Sequence, residues 1–311
     1  MNRQNKPERH DSRFVKRSLD RGPVEFKTRI PEKRGRVEKI GKKDVVTVPR
    51  SMTIIGAAKS MTEYGFRRLP VADPGTKKLE GIITSMDIVR LLGGGDYYQL
   101  IKKSHSGNLY SAINEGIREI MNKEIYAIEN DDSIENAITT IVSTGTGGVP
   151  IVDKRNRVVG IITERDIVNY ISGVIAPSRV REHMSRELVT KKVDSRIIDV
   201  TKAMIEEGFR RIPLVSNGEL VGIVTATDIV KYLGSGNIFE KLKTGDVEEA
   251  LDIGIEEIMS RDLVTLNKDA VLSEAAKLMT ENNIGSIPIL EDGLVVGLIT
   301  EHDLVKSIVE E

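Results

Sequence analysis

The 311-residue chain contains no cysteine. Disulfides, thiolate catalysis and cysteine-bound zinc are therefore excluded. It also lacks any apolar run near the roughly 18 residues that a membrane helix requires, and no charged-then-apolar leader opens it. The expectation is a soluble cytoplasmic protein without membrane contact. Histidine is scarce, with His10, His105, His183 and His302 scattered along the chain. There is no HExxH pair, no GxSxG elbow, no Walker loop and no nucleophile beside a base. That pattern predicts neither an enzyme, nor a metal site, nor a catalytic cofactor.

A net charge of -1 conceals an asymmetry. Residues 1–43 hold fifteen Lys or Arg against six Asp or Glu, an excess of nine, which leaves about -10 on the remainder. The apolar residues of this basic stretch follow neither the strand nor the helix period, so residues 1–36 read as a disordered or loosely docked tail. Such a tail suits a solubilising or partner-docking extension, or contact with nucleic acid.

The rest of the chain repeats itself. GIITSMD at 81–87 recurs as GIITERD at 160–166, GIVTATD at 222–228 and GLITEHD at 297–303. Pro70, Pro150, Pro213 and Pro288 precede the four glycines by 11, 10, 9 and 9 residues. Thr47, Ala127, Thr190 and Thr265 stand 23 residues before the prolines, and Gly41, Met121, Met184 and Met259 six before those. A register held that closely marks each copy as one structural unit.

Inside the unit, Ile54, Ala57, Ala58 and Met61 share one helical face, and Leu272, Ala275, Ala276 and Met279 repeat it. Short β-branched segments around each proline, turn residues such as Asn217-Gly218 and Asp292-Gly293, and a second arm into the glycine motif predict a hairpin. A further helix starts at TxxD. The unit is strand, helix, strand, strand, helix, an α/β (α+β) fold of about 60 residues whose sheet is too small to bury both faces alone. Four units are expected at 37–95, 115–175, 176–235 and 253–311. Copies one and three share GFRR and a glycine-rich link, while copies two and four carry glycine in that place and TE in the motif. An internal pair has been duplicated, giving modules 37–175 and 176–311 related by a pseudo-twofold.

This fourfold register resembles the CBS domain and its paired Bateman module. Four copies with an arginine before the proline are similar to the nucleotide-sensing gamma subunit of AMP-activated protein kinase and its archaeal relatives. The resemblance covers nearly all of residues 37–311. It implies a disc with ligand clefts between paired sheets, binding of AMP, ADP or ATP, and a regulated protein partner; a homodimer is also open.

The residues admit two readings. Thr84/Asp87, Thr163/Asp166, Thr225/Asp228 and Thr300/Asp303 match helix capping boxes, although such a box prefers Glu or Gln where all four copies have Asp. A helix N-terminus is also an anion site, and a nearby carboxylate suits ribose hydroxyls. The resemblance implies the second, with Asp on ribose, Thr on phosphate, and Thr47, Thr190 and Thr265 as further contacts. Arg67, Arg68, Arg210 and Arg211 occupy the places from which the gamma pattern sends basic side chains to phosphates, and arginine's fork suits that task. Neighbours on a strand face opposite ways, so paired arginines need a strand end; an ion pair there is the plainer account. Arg165 aligns with a basic phosphate contact of the gamma pattern, and His302 is its counterpart. Thr146, Gly147, Gly148, Gly285 and Ser286 stand where that pattern can be basic, so central charge is expected mainly from copies one and three, and Ala127 is a departure bearing on copy two. Two alternatives remain, a nucleic-acid-associated protein acting through the tail and a module for an S-adenosyl ligand.

Overall fold

A computed structural model of the chain describes residues 35–172, 175, 178–240 and 242–309. The expectation for the basic tail falls on residues almost wholly outside these.

Copy one comprises α1 (Ile54–Tyr64), β1 (Arg68–Ala72), β2 (Leu79–Thr84) and α2 (Ser85–Leu92), followed by α3 (Leu109–Ile113) in the link. Copy two comprises β3 (Ile128–Glu129), α4 (Ile134–Thr144), β4 (Gly148–Val152), β5 (Val158–Thr163) and α5 (Glu164–Ile171), with α6 (Val180–His183) after it. Copy three contains β6 (Lys191–Lys192), α7 (Ile197–Glu207), β7 (Arg211–Ser216), β8 (Glu219–Thr225) and α8 (Ala226–Gly234), then the link helices α9 (Asn237–Glu240) and α10 (Val247–Leu251). Copy four contains β9 (Leu266–Asn267), α11 (Leu272–Glu281), β10 (Ser286–Glu291), β11 (Leu294–Thr300) and α12 (Glu301–Ser307). The leading strand is shorter than its sequence suggests. It is two residues long in three copies and a single parallel bridge, Val48 to Val71, in the first.

Local chemistry sets the element ends. Thr53 accepts a hydrogen bond from Gly56 N at 3.1 Å to cap α1, and Gly65 closes it at φ 66°, a left-handed conformation that favours glycine. Asn217-Gly218 and Asp292-Gly293, with φ 51°, 89° and 50°, 82°, turn two hairpins tightly. Every hairpin slips register just after its proline, at Val71/Ala72, Ile151/Val152, Leu214/Val215 and Ile289/Leu290.

The copies exchange their leading segments. Asn122 of copy two exchanges two backbone hydrogen bonds with Ile82 of copy one, at 2.9 and 3.0 Å, and Lys42 of copy one does the same with Ile161 of copy two. Ser185 with Leu298 and Ser260 with Ile223 repeat the swap between copies three and four. The motif glycine makes room for it: a Cβ on Gly81 would stand 2.8 Å from Met121 Sδ, and one on Gly222 2.6 Å from Met259 Sδ. Sheet edges join the same pairs, because β8 meets β11 in one six-stranded sheet and Leu79 N donates to Asn156 O at 2.9 Å.

The helices join the pairs crosswise. One apolar core draws on copies one and three, with Ile54, Met61, Leu91, Ile197, Met204 and Leu233, and a second on copies two and four. Each fully buried side chain of this size contributes about 1.5–3 kcal/mol. Gly234, on α8, lies against α1, where a Cβ would meet Ala58 O at 2.7 Å; Gly93 would meet Thr201 Cβ at 2.7 Å. These glycines end helices, as the sequence suggests, but their placement answers to close packing more than to a flexible link. Among the described residues no helix is long and apolar enough to cross a membrane.

Candidate functional site

All four copies meet around GFRR. Arg68 and Arg211 are the first residues of β1 and β7, with Arg67 and Arg210 just before them, so each pair straddles a strand end and both members reach the junction. The opposing surface belongs to copies two and four. A Cβ on Gly147 would stand 3.0 Å from Arg210 Nη1 and 3.1 Å from Glu164 Oε2. A Cβ on Gly285 would stand 2.8 Å from Arg211 Nη2, 2.8 Å from Glu301 Oε2 and 2.9 Å from Arg67 Nη1. Glycines that looked like missing charge are the sockets for the arginines of the other half.

Two carboxylates, absent from the expected site, lie among them. Glu164 and Glu301 are the first residues of α5 and α12, where the helix dipole favours an anion, and are 7% and 3% exposed. Glu301 accepts from Arg67 Nη2 at 3.0 Å and from Arg165 Nε at 2.6 Å. Glu164 bonds His302 Nδ1 at 2.8 Å. Arg165 and His302 thus already hold a carboxylate in this structure, each from the other copy's motif. The TE of copies two and four was the available signal, since it coincides with glycine where the other copies carry arginine.

The arginines remain under-neutralised. Five guanidinium groups, those of Arg67, Arg68, Arg165, Arg210 and Arg211, face two carboxylates. Burial, and then the Arg210 charge, pull Arg68 down to about 10; burial, and then the Arg67 charge, pull Arg211 down to about 10. Both stay charged at neutral pH. Arg68 Nη1 is buried without a hydrogen-bond partner among the described residues, an arrangement costly enough to call for an anion. Burial pushes the Glu164 carboxyl up, but the His302 bond and the His302, Arg210 and Arg68 charges outweigh it and hold it low. The Glu164 bond raises His302 above its usual value.

A cavity of about 750 Å³ opens on this cluster, lined by 84–87 of copy one, 225–228 of copy three and all five arginines. A second, of about 270 Å³, is lined by Thr300, His302 and Asp303 together with Leu188, Val189 and Pro213 of copy three. Arg210 and Arg211 border both. Thr163, Asp166, Thr47, Thr190 and Thr265 line neither, although Val189 and Val264, one residue before two of these threonines, do. Because leading segments are exchanged, copy two delivers Asn122 to the Asp87 cleft. Ala127, the departure in copy two, lines neither cavity.

The capping reading of TxxD needs correction as well. Asp is no obstacle to the box, which is complete in all four copies. Asp228 Oδ2 accepts from Thr225 N and Thr225 Oγ1, both at 2.8 Å, and the other boxes match within a few tenths. One oxygen, Oδ2, does the capping, and the second takes no part in it. In copy one Arg90 Nη1 reaches that second oxygen at 3.2 Å. Burial raises Asp87, Asp228 and Asp303 above the usual carboxylate range.

The CBS-domain family matches residues 37–94, 117–173, 180–235 and 255–310. The chain belongs to the CBS-domain family. Protein MJ1225 of Methanocaldococcus jannaschii is 41% identical over 274 residues, covering 87% of this chain and 98% of that one. Its crystal structure, put forward as that of an archaeal homolog of g-AMPK, superposes with a TM-score of 0.83 at 40% identity, over 88% and 99% of the two chains. A 33.4 kDa Thermofilum pendens protein from the ribosomal RNA operon is 27% identical over 264 residues, 85% of this chain and 88% of its own. A conserved Pyrococcus horikoshii protein, TM-score 0.57 at 21% identity over 88% and 100% of the two chains, shares the fold. This CBS-domain protein thus resembles archaeal relatives of the gamma subunit, and its family and the MJ1225 structure point to a nucleotide-binding regulatory role. Among the described residues no cluster could hold a metal ion.

Proposed function

We propose that this CBS-domain protein is a non-catalytic cytoplasmic sensor that binds AMP, ADP and ATP and passes their occupancy to a protein partner. The observation that carries the reading is the excess of guanidinium groups over carboxylates at a cavity also lined by TxxD carboxylates. Arginine forks make charge-assisted, bidentate bonds to phosphate oxygens, and desolvated arginines gain most from them. The second oxygen of Asp228 or Asp303 accepts from ribose hydroxyls, and Thr84, Thr225 and Thr300 cap while facing the phosphate end. Thr190 and Thr265 support the Asp303 and Asp228 clefts across the exchanged segments, and Thr47 the Asp166 cleft. Arg165 and His302 join only when phosphate takes them from Glu301 and Glu164.

Calorimetry of the full chain with AMP, ADP, ATP and S-adenosylmethionine tests the reading. Saturable heats with the three nucleotides, exceeding those with the cationic sulfonium ligand, are expected. Binding of S-adenosylmethionine alone would replace the sensor with an S-adenosyl module.

A further inference from the structure

The junction has a twofold logic at the level of single side chains. On one side stand Arg68, Arg210, Glu164, His302 and Gly147; on the other Arg211, Arg67, Glu301, Arg165 and Gly285. Each set has two arginines from copies one and three, a carboxylate from the first residue of a motif helix, and a basic residue donated by the opposite motif. A carboxylate with both oxygens on basic partners, as Glu301 has at 3.0 and 2.6 Å, presents to arginine what a phosphate presents: two oxygens in one plane for a planar fork. Copies one and three have Ser85 and Ala226 at the corresponding place, so the carboxylate is peculiar to the half that receives the arginines.

We propose that Glu164 and Glu301 are specificity-determining residues of the central site, built-in counter-ions that compete with ligand phosphates for Arg67, Arg68, Arg165, Arg210 and Arg211. The inference rests on the reading of those arginines as phosphate contacts. A capped, buried carboxylate at a helix N-terminus is held where it stands, so an entering phosphate meets its charge as well as the arginines. Attraction by five cations and repulsion by two anions both grow with ligand charge. Each carboxylate therefore subtracts most from the most highly charged ligand, and the two together limit how far a triphosphate outbinds a monophosphate. A residue that merely orients Arg67 and Arg165 would do the opposite, because its loss would weaken phosphate binding.

The test is calorimetry of the full chain, wild type, Glu301→Gln and Glu164→Gln, with adenosine, AMP, ATP and inorganic tripolyphosphate. Glutamine keeps the shape and one acceptor while removing the charge. The expected result is a gain of about tenfold for ATP and tripolyphosphate, from the removal of one charge several ångströms away in a partly solvated site, a smaller gain for AMP, and no change for adenosine. Unchanged or weaker ATP binding in the variants, with wild-type ATP binding intact, overturns the inference and leaves the phosphate reading standing. Absence of nucleotide and tripolyphosphate binding in every protein overturns both. If Glu301→Gln melts before it can be titrated, Glu164→Gln decides alone, because Glu164 is hydrogen-bonded to one histidine where Glu301 is hydrogen-bonded to two arginines.

Discussion

Copies one and three send arginines to the junction; copies two and four receive them. The fold is the same in both halves, down to the capping boxes and the slipped hairpins, so the difference lies in a few substitutions at matched positions. Where one half has GFRR the other has glycine, and where one half has Ser85 or Ala226 the other has Glu164 or Glu301. Duplication of a pair has thus become a division of labour, with the arginine pairs from one half and, from the other, the space that receives them, a counter-ion in each copy and one further basic residue, Arg165 or His302. The two apolar cores divide mainly along the same line, apart from the exchanged leading segments, which place Ile117, Ile120 and Ile255 in the first and Val37 and Val180 in the second.

The receiving half should be the more fragile at its glycines. Gly148 has φ 151°, and a Cβ there would stand 2.6 Å from Ile162 O and 2.8 Å from Thr163 Cα, besides meeting Arg68. Gly148→Ala is expected to cost about 3 kcal/mol in urea unfolding, from strain and overpacking together. Gly145→Ala is the control: φ is 65° with nothing within 4 Å, so backbone strain alone should cost about 1 kcal/mol. Equal losses at the two positions would remove the claim that close packing, and not backbone strain alone, requires glycine at 148.

The contributing half should show the ligand effect of TxxD. Asp228→Ala is expected to lower nucleotide affinity about tenfold or more, for charge-assisted bonds worth roughly 1.5–3 kcal/mol. It should also cost about 1 kcal/mol of stability through the lost cap. Lost stability with every isotherm unchanged would leave Asp228 as a cap only.

The smallest effect concerns pH and separates the two sides of the receiving half. Hydrogen bonding to Glu164 raises His302 above 6.5, with Asp303 also raising it and burial and Arg210 opposing. A histidine raised on folding contributes stability that is full below its unfolded value and is lost as pH rises through the folded value. Stability and ATP affinity should both fall across that window, and His302→Gln should flatten the profile. Arg165→Gln, in the matching place, should leave the slope intact.

Much of this was legible in the chain. The fixed distances between Thr, Pro and GhhTxxD announced four units, and the arginine pairs raised two readings, phosphate contacts or a strand-end ion pair. The partners of those arginines were not legible. Gly147 and Gly285 lie far along the chain from Arg210 and Arg67, and a glycine in sequence does not say whose side chain fills its space. The segment exchange was hidden for the same reason: Met121 stands six residues before its own copy's position, yet covers Gly81 of another copy. Asp in the TxxD box was misread as a departure from capping, since spacing alone does not reveal that one carboxylate oxygen suffices for the cap and spares the other.

The central claim is that the arginine pairs are phosphate contacts held ready by the opposite half. Titration of Arg67→Ala combined with Arg210→Ala against adenosine, AMP, ADP and ATP tests it most directly. The account predicts a loss that grows with phosphate number, at roughly 1.5–3 kcal/mol for each lost charge-assisted contact, while adenosine binds as before. Equal loss across all four ligands, or no loss with lowered stability, would contradict it and leave GFRR as a structural ion-pair motif.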